Sequence, residues 1–170
     1  MRIVGICGSL QAASSNLSLL RLVPDVLPGG VEYAIYDGIR DLPLFNPDIE
    51  VNGQPPAAVV DWRAALATAD ALLIASPEYG HSLPGSLKNA IDWVIGSAEL
   101  DNKVVGVTAS VAHESRGGRG LDALLRTLTA VNARIVGGAA IARGPEERDR
   151  VRELVEAIAA AVAAAHIVGP

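Results

Sequence analysis

Residues 71–93 read ALLIASPEYGHSLPGSLKNAIDW, and the change of pattern within them decides the fold. Ala71-Leu72-Leu73-Ile74-Ala75 is apolar without alternation, as expected of a strand covered on both faces. Leu87, Ala90 and Ile91, with Val94 beyond, recur at helical spacing. Between them, Ser76 to Gly85 combine Pro77, Pro84, Gly80 and Gly85 with polar side chains, too many for a simple turn. A loop at the carboxyl end of a buried strand is where open α/β sheets bind their ligands.

The same alternation extends in both directions. Arg2 to Cys7 and Lys103 to Ser110 read as buried strands, and Val31 to Tyr36 and Arg134 to Ala142 as two more. Helices are predicted from Leu17 to Leu27, Pro55 to Thr68, Ser86 to Trp93 and Leu121 to Ala133, and from a first turn at Pro145 to about His166. Ser14, Ser15 or Asn16 suits the first N-cap. Glu146, Glu147 and Asp149 suit the start of the last helix. Asp37 to Gln54 reads as one long loop, a length that usually accompanies function. Strands alternating with helices, with neither repeat nor linker, predict an α/β fold in one domain over 1–170. The expected architecture is a doubly wound sheet of five parallel strands in the order 2-1-3-4-5.

Composition narrows the function. Of 170 residues, 50% are hydrophobic and 19% charged, enough apolar surface for a sizeable core. A net charge of −5 argues against nucleic acid or an anionic membrane as partner. The single cysteine, Cys7, excludes an internal disulfide and points to a reducing, cytoplasmic setting. Cys7 ends a buried strand and reads as an inert core thiol. No stretch is long and apolar enough to span a bilayer, and no signal-peptide pattern opens the chain. His, Cys and carboxylates nowhere show metal-ligand spacing.

With the strand order above, three loops face one crevice. The first, from Gly8, offers Ser9, Ser14, Ser15 and Asn16 before a helix, a setting for a phosphate and equally for an ordinary cap. It has neither dinucleotide Gly-x-Gly-x-x-Gly spacing nor a P-loop Lys. The second, Ser76 to Gly85, has a stiff frame, the Tyr79 ring and backbone N–H groups from Glu78 to Ser82 that suit the edge of a flat ligand. On composition alone it reads as a rigid turn whose Tyr and Leu close the core. The third, from Ser110, runs to Gly120 through His113, Glu114, Ser115 and Arg116.

GSLQAASSNLSLL near the N-terminus, with SPEYGHSLPGSLKNAIDW after the third strand, resembles the NADPH-dependent FMN reductase family of flavodoxin-like folds. The likeness spans nearly the whole chain, Asp41-Leu42-Pro43-Leu44-Phe45-Asn46 included. It implies FMN as cofactor, NADPH or NADH as reductant, and a small electron acceptor: free flavin, quinone, azo compound or metal oxyanion. It assigns Ser9, Ser15, Asn16 and Leu17, with Gln11 beside them, to the FMN phosphate. Pro77, Glu78, Tyr79 and Gly80 fall to the isoalloxazine ring, with Ser82 near its edge. Ser110 and the loop carrying Ser115 and Gly117 fall to the pyrimidine end. The implied chemistry is hydride transfer through flavin N5, so no catalytic side chain is required. A homodimer or homotetramer is implied as well, and the apolar surface of the helix from Lys88 to Ile95 agrees with it.

Three departures stand out. Gln11 replaces the family's usual Arg, Gly80 stands where many members have Asn, and the third loop is bulkier than the usual Gly-rich turn. A lost hydrogen bond to charge is worth on the order of 1.5–3 kcal/mol, about ten- to a hundredfold in affinity, unless Arg116 or Arg119 compensates. His81 and His113 read as loop residues without catalytic duty. Arg143, with Arg148, Arg150 and Arg152, reads as a solvated face or as a basic group suited to the 2′-phosphate of NADPH. The alternative reading is an FMN-binding electron carrier or a flavin-free binding module. Carriers of that fold tend to be more acidic and to shield the flavin with aromatics, which are only 4% here. A hydrolase is excluded by the lack of a Gly-x-Ser-x-Gly elbow or a triad.

Overall fold

The computed structural model describes residues 1–51, 54–113 and 115–167. Its frame is a five-stranded parallel sheet in the order β2-β1-β3-β4-β5, as the strand pattern predicts. The strands are β1 (Arg2–Cys7), β2 (Glu32–Tyr36), β3 (Ala71–Ala75), β4 (Val104–Val111) and β5 (Arg134–Ala142). The helices are α1 (Ser15–Leu20), α2 (Pro47–Val51), α3 (Ala57–Ala67), α4 (Gly85–Asp92), α5 (Gly118–Ala130) and α6 (Glu147–Ile167). None of them is long and apolar enough to cross a membrane.

All of β3, and β4 up to Ser110, is buried, because helices cover both faces of the sheet. Successive strand residues point to opposite faces. Val4, Ile6, Leu72 and Ile74 therefore join one core with Trp62, Leu66, Leu87 and Leu124 of α3, α4 and α5. Ile3, Cys7, Leu73 and Ala75 join the other with Leu19 and Leu20 of α1 and Val155 and Ile158 of α6. The carboxyl ends of β1, β3 and β4 lie level. Gly8 N–H donates to the Ala75 carbonyl, and Ser76 N–H to the Thr108 carbonyl, each at 2.9 Å. Their loops thus open at one edge of the sheet.

Several boundaries differ from the sequence reading. The first helix does not run to Leu27: α1 ends at Leu20, and Val23–Val26 forms a separate 3-10 turn carrying Pro24, which cannot continue an α-helix. The stretch from Asp37 is not one open loop, for it contains a 3-10 turn (Gly38–Asp41) and α2; Asn52 and Gly53 lie outside the described residues. It is pinned to α4. Asn89 accepts the Phe45 N–H at 2.8 Å and donates to the Pro43 carbonyl at 2.9 Å, and the Trp93 indole N–H donates to the same carbonyl at 2.8 Å. Helix α5 begins at Gly118 rather than Leu121, and Pro145 sits in a turn just ahead of α6.

Candidate functional site

The first loop is organised by its serines. Ser14 caps α1, its Oγ accepting the Leu17 N–H at 3.4 Å and the Cys7 thiol donating to it at 3.7 Å. The Leu17 amide is therefore engaged within the loop, and Cys7 is part of its underpinning. Gln11 is exposed, its N–H directed at Ser9 Oγ 3.3 Å away. Ser15 and Asn16 clamp the end of β4. Asn16, buried, accepts the Ser110 N–H at 2.9 Å, and the Ser15 hydroxyl donates to the Ser110 carbonyl at 3.5 Å.

The second loop is a tight hairpin. Tyr79 and Ser82 exchange both backbone hydrogen bonds at 3.0 Å, and Gly80 and His81 between them have φ of +56° and +62°. Positive φ at both central positions marks a type I′ turn, which suits Gly at the first of them. The expectation that N–H groups from Glu78 to Ser82 face a ligand fails for Tyr79 and Ser82, whose amides pair with each other. Tyr79 does not close the core either: the residue is 52% exposed, and its hydroxyl lies 3.1 Å from Ser9 Oγ, joining the first loop to the second.

Glu78 joins the second loop to the third. Its Oε2 accepts the Gly120 N–H at 3.0 Å, and its Oε1 lies 3.2 Å from His81 Nδ1. The carboxyl is held below its ordinary range chiefly by the Gly120 N–H, with His81 adding to the effect against partial desolvation. Glu78 thus serves as a remote cap for α5, whose own cap residue, Gly117, has no side chain to offer. In the third loop His113 Nδ1 lies 2.9 Å from Ser115 Oγ, and Arg116 N–H donates to the His113 carbonyl at 3.0 Å. Glu114 lies outside the described residues.

The three loops enclose an open cleft of about 730 Å³. Ser15, Asn16, Pro77, Glu78, Ser110, Ser115 and Gly117 line it. Ser9, Gln11, Leu17, Tyr79, Gly80 and Ser82 lie outside that lining; Ser9 and Tyr79 adjoin it through their mutual contact, and Ser82 faces an apolar groove between α4 and α5. Ser110 lines the cleft, and its buried hydroxyl has no hydrogen-bond partner among the described residues. Buried polar atoms without partners are rare, and this one lies at the point where the loops after β1 and β4 meet.

Arg116, Arg119, His81 and Arg143 also line the cleft. Sequence reasoning gave His81 no role, yet its ring stands between Glu78 and Arg119, whose Nη1 is 3.0 and 3.2 Å from the two ring nitrogens. The hairpin that turns His81 toward α5 is the signal that was available, and it becomes legible only once Gly80-His81 is read as a two-residue turn.

The family model for NADPH-dependent FMN reductase matches residues 1–147. Among curated proteins, an NAD(P)H-dependent FMN reductase of Pseudomonas aeruginosa is 38% identical over 117 residues, covering 69% of this chain and 61% of that protein. A probable NADPH:quinone oxidoreductase of Oryza sativa subsp. japonica is 42% identical over 95 residues, 55% of this chain and 47% of that protein. The chain thus spans about half to three-fifths of the length of these relatives. Among solved structures, the flavoenzyme NAD(P)H:(acceptor) oxidoreductase FerB from Paracoccus denitrificans superposes with a TM-score of 0.80 at 24% identity, covering 94% of this chain and 97% of that one, which establishes a shared fold. The match over residues 1–147 takes in all five strands and the three loops of the cleft, and the chain belongs to the NADPH-dependent FMN reductase family.

Proposed function

We propose that the cleft holds FMN and that the protein uses it to pass two electrons from NADPH or NADH to a small acceptor such as a quinone, a free flavin, an azo compound or a metal oxyanion. The observation that supports this reading is a cleft of ligand size where the loops after β1, β3 and β4 meet, lined by Ser15, Asn16, Pro77, Glu78 and Ser110. Bound FMN supplies the redox chemistry, which no side chain of the cleft can perform.

The chain's own residues position and shield. Ser9, Ser15 and Asn16, with Gln11 and Leu17, form the loop for the phosphate, and Ser15 and Asn16 are already fixed by their bonds to Ser110. Pro77 and Glu78 form a stiff platform for the ring, with Tyr79, Gly80 and Ser82 at its border. Ser110, Ser115 and Gly117 face the pyrimidine end. Glu78, the one described carboxylate lining the cleft, stays ionised and tied to Gly120, so it is a positioning group and no proton donor. Self-association as a homodimer or homotetramer accompanies this reading. The apolar surface expected on the helix from Lys88 to Ile95 is mostly spent within the core, for Ala90, Ile91, Trp93 and Val94 are all buried and Ile95 alone of these is exposed, beside the α4–α5 groove.

Titrating the flavin-free protein with FMN, followed by quenching of flavin fluorescence, tests the site. Wild type should bind stoichiometrically, and Ser110→Ala should bind more weakly by about three- to tenfold, the worth of one neutral hydrogen bond. Equal affinity in the two proteins would remove Ser110 from the site, and no binding by wild type would refute the reading.

A further inference from the structure

His81 stands where a histidine is seldom placed. It is the second central residue of the hairpin after β3, with φ of +62°, a region uncommon for residues other than Gly. A backbone of that kind is retained where contacts compensate for it, and the His81 ring has two. At its edge, Nδ1 lies 3.2 Å from Glu78 Oε1. Arg119 Nη1 lies 3.0 Å from Nδ1 and 3.2 Å from Nε2. An atom that near to both ring nitrogens cannot lie in the ring plane, where it would overlap a ring carbon. The guanidinium nitrogen therefore sits over the face of the imidazole, as arginines sit on aromatic rings.

Both partners are themselves held. Glu78 Oε2 accepts the Gly120 N–H at 3.0 Å, and the Arg119 N–H also helps to keep the carboxyl below its ordinary range. The backbone at Arg119 is thus tied to Glu78, while its side chain rests on His81. All three residues line the cleft, where Arg116 and Arg143 are the other charged groups described. Around them, His113 of the third loop lies against Ser115, Lys88 of α4 is paired with Asp92, and Asp122 and Arg126 follow Arg119 along α5. The charged groups in contact with the ring itself are Glu78 at its edge and Arg119 on its face.

We infer that His81 is a positioning residue controlled by a proton: neutral, it carries Arg119 on its face; protonated, it keeps Glu78 and sheds the guanidinium toward the cleft. A cation is attracted to the face of a neutral aromatic ring. A proton on the ring replaces that attraction with repulsion between two cations. The same proton strengthens the edge contact, which becomes an ion pair with the ionised Glu78. The ring therefore stays in the hairpin and the arginine leaves it. Histidine is the side chain whose charge changes between about pH 5 and 8. Across that window the cleft gains an imidazolium and a freed guanidinium, so an anionic ligand should bind more tightly in acid. The consequence for FMN rests on the reading proposed above; the stack of His81 and Arg119 does not.

NMR of the full chain tests the stack without flavin. The His81 imidazole signal, assigned through His81→Asn, should titrate with a midpoint that moves to higher pH in Arg119→Gln, by about 0.5 or more, and to lower pH in Glu78→Gln. The Arg119 Nε–H signal, assigned through Arg119→Lys, should be displaced by the imidazole ring current at about pH 8 and reach the position of a solvated arginine by about pH 5.5. In His81→Asn, where the new residue tolerates the left-handed backbone, it should hold the solvated position throughout. FMN titrations give the consequence. The affinity of wild type relative to His81→Asn should rise about three- to tenfold between those two pH values, a ratio that cancels the titration of the FMN phosphate. A His81 midpoint indifferent to Arg119→Gln, or an Arg119 signal unmoved by pH, overturns the stack. A constant affinity ratio overturns the release of Arg119 toward the cleft. Failure of wild type to bind FMN would refute the FMN reading, with the two NMR titrations still deciding the stack.

Discussion

The Glu78 carboxylate accepts the Gly120 N–H at 3.0 Å, so a residue of the loop after β3 caps the helix that follows β4. The contact is close on the backbone side too. A Cβ at Gly120 would lie 2.8 Å from Glu78 Cα, a distance real side chains do not occupy. Two loops of the cleft are thus held as one wall, by a charge on a helix terminus and by the absence of a side chain opposite it.

Acid should loosen this wall. A carboxyl lowered by folding contributes stability that is present above its unfolded value, here 4.5, and is lost as pH falls through its lower folded value. Urea midpoints of wild type should therefore fall as pH is taken from 6 through 4.5 and below, and those of Glu78→Gln should fall less over the same window. Parallel curves for the two proteins would remove Glu78 from the linkage.

Gly120→Ala forces the Glu78 backbone away, since neither partner is the end of a flexible chain. Overpacking of this kind costs about 1–3 kcal/mol. Thermal unfolding should show Tm lowered by several degrees, whereas Gly118→Ala, in open space one residue from the helix cap, should leave Tm near wild type or slightly higher.

At Gly80 the open space and the φ of +56° admit Asn, which tolerates the left-handed region, and resist Val, which does not. Gly80→Asn should keep Tm within a degree or two of wild type and, if the ring lies beside this turn as proposed, bind FMN more tightly by supplying a side-chain amide there. Gly80→Val should lower Tm and weaken FMN binding together.

Gln11→Arg places a cation beside the first loop, where the side chain is exposed and unobstructed. FMN affinity should rise about tenfold at low salt, and the gain should shrink as ionic strength increases. A gain that ignores salt would mean that the arginine acts by contact rather than by charge.

The legible parts of this molecule were those whose signal is local. The apolar run Ala71 to Ala75 has no polar face to hide, so it could only be a central strand, and the residues from Pro77 to Trp93 carried the family likeness. The limit of α1 was also written locally, in Pro24, but the apolar spacing on either side of it masked the break. What stayed hidden depends on residues far apart in the chain. Glu78 finds Gly120 across 42 positions, and Asn16 finds Ser110 across 94, through a crossing of strands that no window of sequence contains. Arg143 enters the cleft because the β4–β5 register shifts near two glycines, a feature that reads in sequence only as a weak strand.

The central claim is that this cleft binds FMN and accepts electrons from a nicotinamide cofactor. Its most direct test is the visible spectrum of the protein loaded with FMN, recorded anaerobically before and after addition of NADPH. A bound-flavin spectrum that bleaches on addition of NADPH, and recovers when a quinone is added, is the predicted result. A bound flavin that NADPH and NADH both leave oxidised would contradict the reductase reading and leave a carrier, and a protein that binds no FMN would contradict the site itself.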